Sequence, residues 1–266
     1  MGCETKLYAI REVAEATGVK PVTLRAWQRR YNLIQPQRTE KGHRLYTQAD
    51  IDTIHAIQRW LAKGVAIGKV KGLLLSGDEE TGAEQADNMT LDEVESLLEA
   101  LAALNQGKAE SILSGVFKEY PLKIVTQQFV MPVTEALDKV KSSQRTLQKA
   151  LFQALMLTRI SAIIDAENKA ATKGKCLFVS LDPVGSVFAW LEALQLSETG
   201  LRVIVLDGAD DLTGLCDGAA LEFFSRLHVF SNRALPDVQR QHLVALSSQW
   251  DERFSASDVL RALYLD

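Results

Sequence analysis

The chain has 266 residues, 47% of them apolar, with 30 Lys and Arg against 34 Asp and Glu and a formal charge of −4. That length admits one large domain or two to three small ones, and the apolar share is enough for real cores. Cys3, Cys176 and Cys216 lie far apart with no CxxC pair, which argues against a disulfide framework and a structural zinc site. No run of about 18 uninterrupted apolar residues occurs and no signal-peptide core opens the chain, so no membrane span and a reducing cytoplasmic setting are expected.

The charge is unevenly spread. Residues 1–77 hold 13 Lys and Arg against 6 Asp and Glu, a net of +7, whereas the rest carries −11. A basic head on an acidic body points to a nucleic-acid-binding module joined to a domain with another task. In chain order, residues 7–18 place Ile10, Val13 and Ala14 on one helical face, and Gly18 can take the left-handed stop. Pro21 suits the first turn of a helix running to Tyr31, which would bury Val22, Leu24 and Trp27. Asn32 tolerates the left-handed conformation and can end it. Two short helices with a Gly-containing turn read as a helix-turn-helix. Gln37–Arg38 and Arg44–Leu45–Tyr46 around Lys41–Gly42 read as a hairpin wing. Thr47 and Asp50 mark a helix start, after which Ile51, Ile54 and Leu61 recur until Gly64, and a further short helix carries Ile67, Val70, Leu73 and Leu74.

The body is read the same way. Residues 77–89 form an acidic linker too poor in apolar residues to order itself. Thr90 with Glu93 is a capping-box pattern. Stripes at Leu91–Leu104, Ile112–Phe117, Val125–Leu137 (interrupted by Pro132) and from about Leu147 to Ala171 suggest four bundled helices. After Gly174 the period changes. Residues 175–181, 201–208 and 227–231 read as buried strands, separated by helices at 185–198 and 215–224. A helix at 236–249, a short strand near Phe254 and a last helix from Asp258 follow. Alternation at this spacing implies a parallel, doubly wound sheet. The expected fold class is therefore mainly α plus α/β: a winged helix-turn-helix head (1–76), the linker (77–89), a four-helix bundle (90–173), and a small doubly wound Rossmann or flavodoxin-like domain (174–266).

The candidate DNA-contacting residues are Lys20, Thr23, Arg25, Arg29, Arg30, Arg38, Lys41, His43, Arg44 and Tyr46. Thr23 and Arg25, near the start of the second helix, would reach the major groove, with Arg25 reading a guanine edge or holding phosphate. Arg29 and Arg30 would bind phosphate, or one would pair with Glu12 or Glu15. Arg38, Lys41, His43 and Arg44 would track the flanking backbone. Tyr46 would donate its hydroxyl to phosphate or cover the wing base.

The run VTLRAWQRRYNL, a following P-x-R, then GHRLY and an acid-started helix resemble the MerR family of winged-helix transcription regulators over residues 7 to about 76. The sub-pattern PVTLRAWQRRY with GHRLY is similar to the MlrA/BluR-like and CarH-like branch, which joins this head to a cobalamin-domain-like body. Asn32 stands where those relatives usually have Gly. The resemblance implies a homodimer on double-stranded promoter DNA. It implies activation by distorting the promoter for RNA polymerase, with occlusion by a repressor as the alternative, and a signalling protein partner on the body.

The resemblance also sets a cofactor expectation. Its cobalamin-binding members ligate cobalt through a His in a D-x-H-x-x-G-like loop after the first strand. The corresponding Ser180–Ser186 segment, SLDPVGS, has no His, and the bundle lacks the Trp and the Glu-His pair. No cofactor is therefore expected, and His228 and His242 are expected to be ordinary structural or surface residues. A small-molecule-sensing repressor remains the alternative, with Asp182, Gly185 and Asp207 lining a crevice at the strand ends for a ligand, cobalamin held without the His or another planar molecule. No metal and no catalytic residue is expected, because neither a G-x-G-x-x-G order nor a nucleophile–base signature occurs.

Overall fold

In a computed structural model the protein is mostly helical and carries one antiparallel and one parallel sheet. The structure describes residues 6–40, 42–76, 90–140, 143–216 and 222–265. Two compact units divide between Lys149 and Ala150. That division falls inside the segment 90–173 expected as one bundle. The 77–89 linker, Cys3 and Lys41 lie outside the described residues.

The first unit begins with β1 (Tyr8–Ala9), α1 (Ile10–Thr17) and α2 (Pro21–Ala26), which continues as a wide turn over Trp27–Tyr31. Gly18 closes α1 with φ +69°, Pro21 opens α2, and Asn32 ends the wide turn at φ +51°. Each was expected, because each backbone position rewards that residue type. Val22 is 42% exposed, however, and does not join Leu24 and Trp27 in the core. β2 (Gln37–Arg38) and β3 (Arg44–Tyr46) pair antiparallel, and β1 adds to the other edge of β3, with Tyr8 opposite Tyr46. α3 (Gln48–Ala62) starts with a reciprocal cap: Thr47 Oγ1 accepts from Asp50 N at 3.2 Å and Thr47 N donates to Asp50 Oδ2 at 2.8 Å. α4 (Ile67–Ser76) follows.

Helices α5 (Glu93–Ala102), α6 (Gln106–Glu119), α7 (Leu122–Ile124) and α8 (Met131–Lys139) complete the unit, the last two joined by a second wide turn over Val125–Val130. The expected Thr90–Glu93 capping box does not form. α5 starts only at Glu93, with Asp92 before it and no side-chain cap. The stripe also stops short of Leu104, which follows the helix at φ +49° and is half exposed. Pro132 has no N–H to give and its ring crowds the carbonyl four residues back, which is Gln128. The wide turn relieves that crowding, and the freed Gln128 carbonyl accepts from Leu91 N at 2.9 Å. The Gln128 side chain reaches the other way, donating to the Leu61 carbonyl at 2.9 Å.

The second unit takes most of α9 (Arg145–Ala170), then β4 (Lys175–Ser180), α10 (Val187–Glu198), β5 (Arg202–Leu206), α11 (Thr213–Cys216), β6 (Arg226–Phe230), α12 (Asp237–Trp250), β7 (Phe254–Ala256) and α13 (Asp258–Tyr264). The four strands are all parallel in the order β5-β4-β6-β7, with Phe178 level with Val205 and His228. Leu177, Val179, Leu227, Val229 and Ala256 pack under Leu243, Leu246 and Trp250 of α12 and Leu260 of α13. On the opposite face the rings of Phe178 and His228 stack at 5.1 Å. Cys176 is fully buried, and burial pushes its thiol up to about 11. α9 has the length and composition of a membrane span by hydropathy, but its Gln153 and Asn168 side chains bond within the second unit.

One expectation fails at β5. The run LRVIVLDG reads as fully buried, yet Ile204 is 39% and Leu206 42% exposed. β5 is an edge strand, so one of its faces is incompletely covered. Asn168 of α9 supplies the missing edge partner: its Nδ2 donates to Val203 O at 2.9 Å and its Oδ1 accepts from Val203 N at 2.8 Å. An amide side chain thus imitates a neighbouring strand and satisfies both edge groups. Asn168→Ala should cost on the order of 1–3 kcal/mol of stability, for two lost hydrogen bonds at a buried valine. A urea melt of the two proteins checks this, and an unchanged midpoint would show that the edge is satisfied in another way.

Candidate nucleic-acid interface

The segment Pro21–Tyr31 has two faces. Arg25 and Arg29 lie four residues apart and are exposed; Trp27, Arg30 and Tyr31 lie on another side. β2 and β3 bring Arg38 and Arg44 opposite each other in register. The Arg44 Nε donates to Gln28 Oε1 at 2.6 Å, which ties the hairpin to the wide turn. Burial lowers the Arg44 pKa from its usual value, and the positive charges of Arg38, Arg29 and Arg25 lower it further, with Tyr46 opposing. Arg25, Arg29 and Arg38 lie near enough to Arg44 to act on it, so the four guanidinium groups share one positive surface. Such a surface attracts a polyanion and releases its counterions on contact.

The hairpin tip is built locally. Gly42 sits at φ +80°, where a side chain would be strained, and its N–H bonds to Thr39 O at 2.8 Å. Thr39 N bonds to His43 O at 2.9 Å, and the Thr39 hydroxyl accepts from His43 N at 3.0 Å. His43 and Arg38 are exposed, and Lys20 is partly so.

Three of the candidate contact residues have other surroundings in the fold. Thr23 is 2% exposed and Tyr46 fully buried, so the structure places both side chains in the core. A hydroxyl near the start of a helix and a tyrosine at the end of a wing strand fit either role in sequence; packing decides. Burial also raises the Tyr46 phenol pKa, and its hydroxyl has no hydrogen-bond partner. Arg30 pairs with Glu119 of α6, not with Glu12 or Glu15. The Glu119 carboxylate also accepts from the Tyr31 hydroxyl, and its carbonyl accepts from Trp27 Nε1 at 2.7 Å. Next to it, Tyr120 is buried, its hydroxyl 3.5 Å from Ile67 N and 3.3 Å from Glu93 Oε1. Gln28 and Glu119 are the two residues sequence reading did not single out. No motif marks a glutamate that is 88 positions from its partner.

The candidate crevice of the second unit is stitched by its own side chains. Asp182, just past β4, accepts from Asn232 N at 3.0 Å, Asn232 Nδ2 at 3.1 Å and Ser186 Oγ at 3.1 Å, with Ser231 Oγ at 3.4 Å. Asp207 Oδ2 accepts from Gly185 N and Trp190 Nε1, both at 2.9 Å. Gly185 has φ +83°, its carbonyl accepts from Gln153 Nε2 at 2.8 Å, and a Cβ there would lie 2.3 Å from that nitrogen. Asp207 Oδ1 is buried without a partner, as is Ser180 Oγ at the end of β4. These residues do not fit cobalamin. The loop offers no imidazole, Gln153 fills the space beside Gly185, and His228 is held in the sheet between Ser255 Oγ at 2.9 Å and Glu192 Oε1 at 2.8 Å.

Residues 8–76 match the family model described as MerR HTH family regulatory protein. The chain is 35% identical over 202 residues to the HTH-type transcriptional regulator MlrA of Escherichia coli K12, spanning 75% of this chain and 79% of that one. It is 26% identical over 211 residues to the HTH-type transcriptional repressor CarH of Myxococcus xanthus, spanning 76% and 71%. Over 67 residues, 25% of this chain and 51% of the relative, it is 36% identical to the mercuric resistance operon regulatory protein of Bacillus cereus.

Tyr46→Phe removes a buried hydroxyl that has no partner, so it should be neutral or stabilising by about 1 kcal/mol and should leave affinity for duplex DNA unchanged. Fluorescence anisotropy with a labelled duplex reads the second outcome. A clear loss of affinity would return Tyr46 to the contact surface.

Proposed function

The chain belongs to the MerR family of helix-turn-helix transcription regulators, and from that premise we propose how it holds and reads DNA. It is a DNA-binding transcription regulator of the MlrA- and CarH-like kind. The observation that carries the reading is the surface shared by Arg25, Arg29, Arg38 and Arg44. We read residues 1–76 as a winged helix-turn-helix. Its Pro21–Tyr31 segment lies in the major groove, and the β2–β3 hairpin rests on the neighbouring backbone. Arg25 comes first along that segment and reads a base edge or anchors beside it. Arg29, Arg38 and Arg44 neutralise phosphates, Lys20 and His43 border the same surface, and Lys41 adds its charge to the phosphate contacts.

One short helix and one hairpin cover too little duplex for high specificity. Two copies therefore bind a pseudo-two-fold site whose half-sites lie about one or two helical turns apart. Activation by realigning the promoter for RNA polymerase fits this arrangement. Bending a site costs on the order of 1–6 kcal/mol, which additional phosphate contacts can offset. The segments 77–89, 90–173 and 174–266 serve as linker, helical module and doubly wound, flavodoxin-like module, and receive the signal or a partner protein. The place of action is the bacterial nucleoid.

A second reading, a small-molecule-sensing repressor, has two supports: the Myxococcus relative is a repressor, and Asp207 Oδ1 is buried without a partner. Asp182 speaks against it, since its carboxylate is already engaged by protein donors.

A footprint on genomic DNA should show two protected half-sites with enhanced cleavage between them. Protection without central distortion would favour occlusion over activation. Arg25→Ala should cost about 1–3 kcal/mol on the preferred site and relax preference at one position, whereas Arg29→Ala should weaken all duplexes alike. Equal losses for both variants on all sequences would demote Arg25 to a phosphate contact.

A further inference from the structure

Arg30 stands apart from the other arginines of the head. Its side chain is 54% exposed, yet its guanidinium pairs with the buried Glu119 carboxylate. Trp27, Arg30 and Tyr31 are spaced i, i+3 and i+4, so they share one face of the turn, and all three bond to the same residue. Glu119 is 7% exposed and ends α6, where its main-chain carbonyl has no partner within the helix. The Trp27 indole takes that carbonyl while the carboxylate is shared between a guanidinium and a phenol. A buried carboxylate is stable only when its oxygens are filled, and here both are. The neighbouring Tyr120–Ile67 contact ties the end of α6 to the start of α4, and Gln128 ties the second wide turn to α3.

We infer that Glu119 is a positioning residue for DNA reading: it fixes the pose of the 27–31 turn, so that Arg25 and Arg29 on the other side meet the duplex at one angle, and Arg30 serves this clamp rather than a phosphate. A displacement of α6 then becomes a displacement of the reading segment. The inference rests on the DNA-reading role given to Arg25 and Arg29, and it assigns their support to a helix outside the 8–76 match.

The test uses the full chain, a duplex it selects from a random-sequence pool, and a scrambled duplex of equal length. Glu119→Gln, Arg30→Ala and Tyr31→Phe are compared with Arg29→Ala, each at a urea concentration where its own melt shows it folded. The clamp predicts that Glu119→Gln loses about tenfold on the selected duplex while keeping its scrambled-duplex affinity. It predicts that Arg30→Ala leaves the slope of log K against log salt unchanged, whereas Arg29→Ala lowers it by about one per protomer. A merely structural Glu119 would lose both affinities together or neither, and either result overturns the inference. So does an Arg30→Ala slope that falls as Arg29→Ala does. If Glu119→Gln does not fold, the slope for Arg30→Ala and the selected-to-scrambled ratio for Tyr31→Phe decide alone. A wild-type chain that binds both duplexes without salt dependence sinks the DNA-reading role of the arginines first, and the clamp with it.

Discussion

A helix of eleven residues does not hold itself together in water. Its stability has to come from the face it buries. In the Pro21–Tyr31 segment that constraint divides the labour. Leu24 and Trp27 are fully buried, and Trp27, Arg30 and Tyr31 are held at the end of α6 by Glu119. Only because that side is fixed can Arg25 and Arg29 stand exposed at defined positions beside Arg38 and Arg44. Burial and the positive charges of Arg38, Arg29 and Arg25 all disfavour the charged form of Arg44. A polyanion on such a surface would relieve that repulsion.

The body shows how the loops beyond the strand ends of a parallel sheet can be tied together by their own side chains. In open parallel sheets, ligands enter where the strand order reverses, beyond the strand C-termini. Here β4 has β5 on one side and β6 on the other, and Asp182 stands at that point. Its oxygens are taken by Asn232, Ser186 and Ser231, and Gly185 is held by Asp207 and Gln153. Donors and acceptors that satisfy each other in this way hold the loops together. Ser180 Oγ and Asp207 Oδ1 are the exceptions among the described residues at these strand ends.

Local features were legible wherever one residue answers one backbone demand. Gly18, Pro21, Asn32 and the Thr47–Asp50 pair each mark an element end, and all four stand where they were expected. The Thr90–Glu93 pattern has the same spelling but no cap forms there, since a capping pattern works only if the helix begins at it. The basic surface was legible as a cluster of residue types, though not as a list of contacts. Thr23, Tyr46 and Arg30 belong to the same stretch as Arg25 and differ from it only in the direction their side chains point. β5 looks in sequence like any buried strand; its place at the sheet edge, with Asn168 as its neighbour, depends on partners that no local pattern names.

The sequence by itself determined the element types and most of their ends, the basic head, and a family signature carried by short-range motifs. These follow from propensities and spacings within a few turns of chain, which act before any tertiary contact forms. The tertiary structure alone decided that Thr23 and Tyr46 turn into the core, that Glu119 holds Trp27, Arg30 and Tyr31, and that Asn232 engages Asp182. The Glu119 and Asp182 pairings span 50 to 92 residues, and packing geometry, not spacing along the chain, brings such partners together.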